Sequence, residues 1–297
     1  MKTSTPLFWL SLSITVLALV AASAGLFWQG GSGPFTFTTL RGEQVEIYGQ
    51  GLYQYDTPIV ALGFKMADAV TLGLAIPLLV LALMLYRRGA LRGGILLAGV
   101  LAYLLYNYSS LAFGAAFNNL FLVYVAVMAL SLFAFVIALG AFDPVALVTH
   151  CLPTLPQRAI GLYLIASGVI LLLLWLVLSI IPALLQGKAP PEVWSYTTVV
   201  TFVLDMGIIA PALIVAGALL LRRAPFGYLL SAVLLVFTVI LGVNLTAGGI
   251  AQLLSGVITR GQFIGMSASF SVLTLFALGY TVALFRSFSQ SEKGSLQ

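Results

Sequence analysis

Apolar residues run through this chain in long stretches broken by short polar intervals. Eight stretches reach the roughly 20 residues that a helix needs to cross a bilayer core. They lie at approximately 7–28, 58–86, 91–113, 119–141, 158–185, 197–222, 226–248 and 262–286. The pattern predicts an all-α integral membrane protein with eight transmembrane helices. One interval has a different period. Within 29–57, Phe35, Phe37 and Thr39 alternate with other neighbours, Arg41-Gly42-Glu43 can turn, and Val45 and Ile47 alternate again. Alternation of period two predicts a small β-hairpin between helices 1 and 2. It would serve either as a lid over an outward-facing cavity or as a cap on helix ends. The stretch from Ile250 to Arg260 reads as a short interfacial helix or a plain loop.

Composition sharpens the class. Of 297 residues, 61% are apolar and only 7% are charged. Such a chain cannot cover a water-facing surface, which excludes a soluble enzyme, a disordered segment and a nucleic-acid binder. Charge placement then orients the helices. Lys2, Arg87, Arg88, Arg92, Arg158, Arg222, Arg223, Arg286 and Lys293 fall on one side, and Arg41, Lys65, Lys188 and Arg260 on the other. The positive-inside rule predicts cytoplasmic N- and C-termini in a plasma (inner) membrane. The basic balance points to membrane lipids as partners. Leu83, Tyr86 and Arg87 also match a loose sterol-contact pattern. Lys2, the apolar run and Ala22-Ser23-Ala24 resemble a secretory signal with its cleavage site. The apolar run continues through Leu26, Phe27 and Trp28, which favours a retained helix.

Rare residues exclude whole chemistries. With one Cys (Cys151) and one His (His150), there is no internal disulfide, no CxxC pair, no bis-His haem and no HExxH zinc site. No phosphate-binding GxxxxGK[ST] loop is present. Neither a cofactor nor a metal site is expected, and no catalytic residue is assigned.

The order of features repeats. Leu130-Ser131-Leu132-Phe133-Ala134 matches Leu273-Thr274-Leu275-Phe276-Ala277, and Gln29-Gly30 matches Gln186-Gly187. Segments two and six each carry one acid, Asp68 or Asp205, then a double arginine, then a helix bearing Asn107 or Asn244. This order predicts two parallel four-helix repeats, 1–141 with its hairpin and 158–297, joined by a cytoplasmic linker, 142–157.

Chemistry concentrates on polar residues inside the apolar segments. Asp68 lies about ten residues into its helix, ~15 Å deep, and Asp205 at a comparable depth. Acids at such depth face the interior and need partners. Counted outward from the tight turns, each lies within about a helical turn of the Asn on the neighbouring helix, which predicts one Asp/Asn site per repeat. Lys65, three residues before Asp68, is expected to neutralise it, leaving Asp205 as the better proton or cation exchanger. Tyr103, Tyr106, Asn107 and Ser110 share one face of helix three, and Ser267, Ser271 and Thr274 one face of helix eight. Pro77 and Pro211 interrupt helices two and six. The expected binding set is Asp68, Lys65, Tyr103, Tyr106, Asn107, Ser110, Asp205, Asn244, Ser267 and Ser271, with both acids converging on one chamber. This set suits a small secondary transporter moving a small cation or a proton. The alternatives are a membrane protein that binds or converts a lipid- or sterol-like apolar ligand, and an assembly subunit that acts with a partner subunit.

Overall fold

The computed structural model describes residues 3–149 and 155–294; Lys2, His150 and Cys151 lie outside them. Eight helices are long and apolar enough to cross a membrane. They are α1 (Thr5–Phe27), α2 (Pro58–Arg87), α3 (Leu91–Gly114), α4 (Phe121–Gly140), α5 (Gln157–Gln186), α6 (Val200–Leu221), α7 (Pro225–Leu254) and α8 (Arg260–Ser287). A short helix, Pro144–Thr149, lies between α4 and α5. Residues 250–254, expected to lie outside the spanning segments, instead continue α7. Proline sets several starts: Pro58 and Pro225 occupy first helical turns, where their missing N–H costs nothing. At α8, Thr259 and Gln262 form a capping box.

The predicted hairpin is present. Strand β1 (Phe35–Thr38) pairs antiparallel with β2 (Gln44–Ile47), Phe35 opposite Ile47 and Phe37 opposite Val45. The turn is closed by Gly42 in the left-handed region and by Thr39 Oγ1, which accepts from the Arg41 and Glu43 N–H groups. This end of the bundle is called the hairpin end, and the end where α1 begins the terminal end.

Helices α1 to α4 close on themselves: α1 packs on α2 and α4, and α3 packs on α2 and α4. In the second group α5 packs on α6, α6 on α7 and α7 on α8. There α5 also reaches α8 through Tyr163, whose hydroxyl donates to the Leu273 carbonyl at 2.9 Å and whose ring lies 5.3 Å from that of Tyr280. The groups meet where α7 lies against α2 and α3. Accordingly, 72% of the apolar window of α3 and 67% of that of α7 are buried, against 11% for α8, which makes α3 and α7 the core of the molecule. Gly99 of α3 permits this approach, because a Cβ there would strike Val236 of α7. Gly242 and Gly249 of α7 likewise face Thr274 and Ser267 of α8.

The hairpins α2–α3 and α6–α7 share one set of local devices in a constant register. Each first helix opens into a π-turn, Thr71–Ala75 or Asp205–Ile209, just before Pro77 or Pro211. In both, the N–H before proline bonds five residues back, Ile76 to Thr71 and Ala210 to Asp205. A proline ring clashes with the carbonyl four residues earlier, and a widened turn moves that carbonyl aside. The same device recurs in α5, at Leu176–Ile180 before Pro182. Both connections then pass through a left-handed residue, Gly89 or Arg223, to an extended Ala90 or Ala224. Gly93 and Gly227 pack on the preceding helices at Leu85 and Leu219. In this register Asp205 stands level with Thr71, and Asp68 stands level with Phe202. The two acids are therefore not at equivalent positions.

Candidate functional site

The densest group of buried polar side chains lies inside the α1–α4 group, towards the hairpin end. It is built from the loop after β2 inward. Gly49 and Gly51, both with positive φ, fold that loop back on itself, and Tyr53 enters the bundle fully buried. Its hydroxyl donates to Asp68 Oδ2 at 2.7 Å. Room for the carboxyl comes from α1, where Gly25 presents no side chain: a Cβ there would collide with Asp68 Oδ2 and touch the Tyr53 hydroxyl. Asp68 Oδ1 and the hydroxyls of Tyr103 and Tyr124 are buried without a well-formed hydrogen bond. Thr71 stands beside Tyr103, and Tyr53 and Asn118 stand beside Tyr124. Asn107 reaches Thr71 Oγ1 at 3.5 Å, and Tyr108 donates to the Ala18 carbonyl of α1 at 3.3 Å.

The expected Lys65–Asp68 ion pair does not form. Three residues along a helix rotate side chains apart by about 60°. Asp68 turns towards Gly25 and Tyr53, whereas the Lys65 ammonium lies 5.8 Å from the centre of the Tyr48 ring. Among the described residues the ion pair that does form is Arg41–Glu43, on the hairpin turn. The Asp/Asn sites also differ from expectation. In the first group Asn107 bonds Thr71, one turn along from Asp68. In the second, both oxygens of Asp205 are taken, Oδ1 by the Tyr106 hydroxyl at 2.8 Å and Oδ2 by the Trp175 indole N–H at 2.9 Å. Asn244 is half-buried on α7 and is not among these donors. Depth alone could not select the partner, because at this level the start of α6 rests on α3 and α5.

The acids thus occupy separate places rather than one chamber: Asp68 lies within the first group, and Asp205 bridges the two. The remaining expected serines make local contacts. Ser110 donates to the Tyr106 carbonyl, Ser267 packs against Gly249, and Ser271 shares a hydrogen bond with Thr246 at 2.8 Å.

Sequence reasoning missed Asp56, which lies just before α2 and looked like a loop residue. It is fully buried and joins three connections. Its Oδ1 accepts from the Tyr196 hydroxyl at 2.7 Å and from the Ala116 N–H at 2.8 Å, and its own carbonyl accepts from the Tyr48 N–H at 2.8 Å. Its Oδ2 and the Thr57 hydroxyl are buried without a well-formed hydrogen bond, with Tyr196 beside Thr57. Burial pushes the Asp56 carboxyl up to about 6, against the lowering effect of its bonds to Ala116 and Tyr196. Burial, and then the nearby Asp56 charge, raise Tyr196 in turn; burial and Asp68 raise Tyr53. The Tyr-Asp-Thr-Pro run ahead of an apolar helix was the available signal, since only an acid held by donors can sit at a buried helix start.

A cleft of about 440 Å³ opens at the hairpin end beside this junction. Phe35, Phe37 and Ile47 of the hairpin form one wall, and Phe113 to Ala116 and Ser195 to Thr198 form the others. A second cleft of about 360 Å³, lined by Lys188, Phe202 and Met206 among others, adjoins it at Thr197 and Thr198. Neither is lined by Asp68 or Asp205. Compared with protein-family models, with curated proteins and with solved structures, the chain matches none.

Proposed function

We propose that this protein is a small secondary carrier in which Asp68 exchanges a proton or a small monovalent cation. One observation carries the reading: a fully buried carboxyl with one oxygen bound by Tyr53 and the other unpartnered, within electrostatic reach of the buried hydroxyls of Tyr103 and Tyr124. An isolated intramembrane acid is costly to hold and is kept mainly where it serves transport or proton movement. Asp205, with both oxygens satisfied by groups from two helices, is instead a fixed link between the halves. In this reading the shared register of α2–α3 and α6–α7 reflects two parallel four-helix repeats, and the arginine-rich terminal end faces the cytoplasm.

The test is solid-supported-membrane electrophysiology on the reconstituted protein. A pH jump or a sodium jump should displace charge in the wild type, and Asp68→Asn should abolish the signal while eluting as a folded species. No displacement in the wild type with either ion, or an undiminished signal in Asp68→Asn, rejects the reading. A second reading rests on the aromatic-walled cleft at the hairpin end, which suits an apolar or lipid-like ligand. It requires a defined lipid to copurify and to appear in native mass spectra.

A further inference from the structure

We propose that Asp56 loads and unloads the proton of Asp68, and that the hydroxyls of Tyr53 and Tyr124 carry it between them. The inference rests on the reading of Asp68 as the exchanging group and specifies the ion and its route.

Four observations support it. Tyr53 donates directly to Asp68 Oδ2. Tyr124 of α4 stands beside Tyr53 and within electrostatic reach of both Asp68 and Asp56. Asp56 Oδ2, Thr57 Oγ1, the Tyr124 hydroxyl and Asp68 Oδ1 are all buried with no well-formed hydrogen bond, which is the kind of group that ordered water satisfies in protein interiors. Finally, Asp56 sits where protons can arrive, because Tyr196 and Ala116, which bind its Oδ1, both line the cleft open to the hairpin end. A carboxyl held near 6 also changes protonation close to neutral pH, as a relay station must. The titratable groups around Asp56 are Tyr196 from the α5–α6 connection, Tyr124 from α4, and Tyr48 and Tyr53 from its own loop. No charged side chain bonds Asp56 among the described residues; its carboxyl is held by Tyr196 and the Ala116 N–H.

The transfer balances. The Asp56 carboxyl gives its proton to the Tyr124 oxygen through ordered water, since neither group bonds the other directly. Tyr124 passes its own proton to the Tyr53 oxygen, and Tyr53 passes the proton it already directs at Asp68 Oδ2. Asp56 ends as carboxylate, Asp68 as neutral acid, and each phenol keeps one proton.

Time-resolved infrared spectroscopy on the full-length protein in liposomes tests the route. A caged-proton pulse, delivered from an alkaline starting pH at which both carboxyls are ionised, lowers the pH through the Asp56 range, and the bands of protonated carboxyls are assigned with Asp56→Asn and Asp68→Asn. In the wild type the Asp56 band should rise before that of Asp68. Asp56→Asn and Tyr124→Phe should each slow the Asp68 band by about 100-fold without reducing its final size. Tyr53→Phe should do the same, and Tyr124→Phe keeps the test decisive if Tyr53→Phe does not fold. An unchanged Asp68 rate in both Asp56→Asn and Tyr124→Phe overturns the proposal, as does an Asp68 band that never appears. If the electrophysiological signal depends on Asp68 while these rates stay unchanged, the carrier reading survives and the relay fails. If the relay kinetics hold but no charge is displaced, the carrier reading fails alone.

Discussion

Gly25 allows Asp68 its position: any Cβ there enters the space of the carboxyl and of the Tyr53 hydroxyl. Gly25→Ala should therefore destabilise the protein by about 1–3 kcal/mol through overpacking, read as a lowered melting temperature in detergent. An unchanged melting temperature would mean that α1 can shift freely. Asp56 makes a different prediction. Its carboxyl is raised from 3.8 to about 6 in the folded protein, so the fold holds this proton more tightly than the unfolded chain does. The stabilisation is complete below the unfolded value and is lost as pH rises through about 6, on the order of 3 kcal/mol in all. Melting temperature should fall between pH 4 and 6 in the wild type, and Asp56→Asn should flatten that slope. An equally steep slope in Asp56→Asn would assign it to other groups.

At the level of elements, the π-turns before Pro77, Pro182 and Pro211 decide where side chains point. One extra residue in a turn rotates everything on its hairpin-end side by about 100° relative to a continuous α-helix. Asp205 opens one such turn, and its bonds to Tyr106 and Trp175 depend on that phase. Pro211→Ala restores the missing N–H and lets α6 close into a regular helix. The coupling between Tyr106→Phe and Asp205→Asn in a double-mutant cycle, expected at about 1–3 kcal/mol in the wild type, should then vanish in the Pro211→Ala background. Persistent coupling would show that the turn is held by packing rather than by proline. The connection after α6 holds Arg223 at φ 58, where α2–α3 has Gly89. Arg223→Gly should accordingly stabilise the protein by about 1 kcal/mol in thermal unfolding.

For the whole molecule, two groups of four helices meet along α7, α2 and α3, and their side-chain links gather towards the hairpin end. Tyr196 bonds Asp56, Arg41 donates to the Trp194 carbonyl, Gln252 donates to the Ile59 carbonyl, and Tyr106 bonds Asp205. Trp194 itself has φ 43, a strained conformation for a large side chain, in the segment that Arg41 and Tyr196 hold. The arginine pairs at the opposite end predict that the hairpin lies outside the cell. In a Cys151→Ser background, Glu43→Cys should react with a membrane-impermeant maleimide on intact cells. Labelling only after lysis would reverse the orientation.

Local rules sufficed for much of this. Bilayer thickness fixes helix length, so eight apolar stretches mark eight spanning helices, and a period of two with a Gly-containing turn marks the hairpin. Depth along a helix is also readable by counting, which is why Asn107 falls within a turn of Asp68. Azimuth is not. It depends on π-turns and on which neighbour a helix leans against, and both are settled by packing across the chain. Those contacts turned Asp68 away from Lys65 and towards Gly25, gave Asp205 to Tyr106 and Trp175 instead of Asn244, and buried Asp56 under a loop that arrives from 140 residues away.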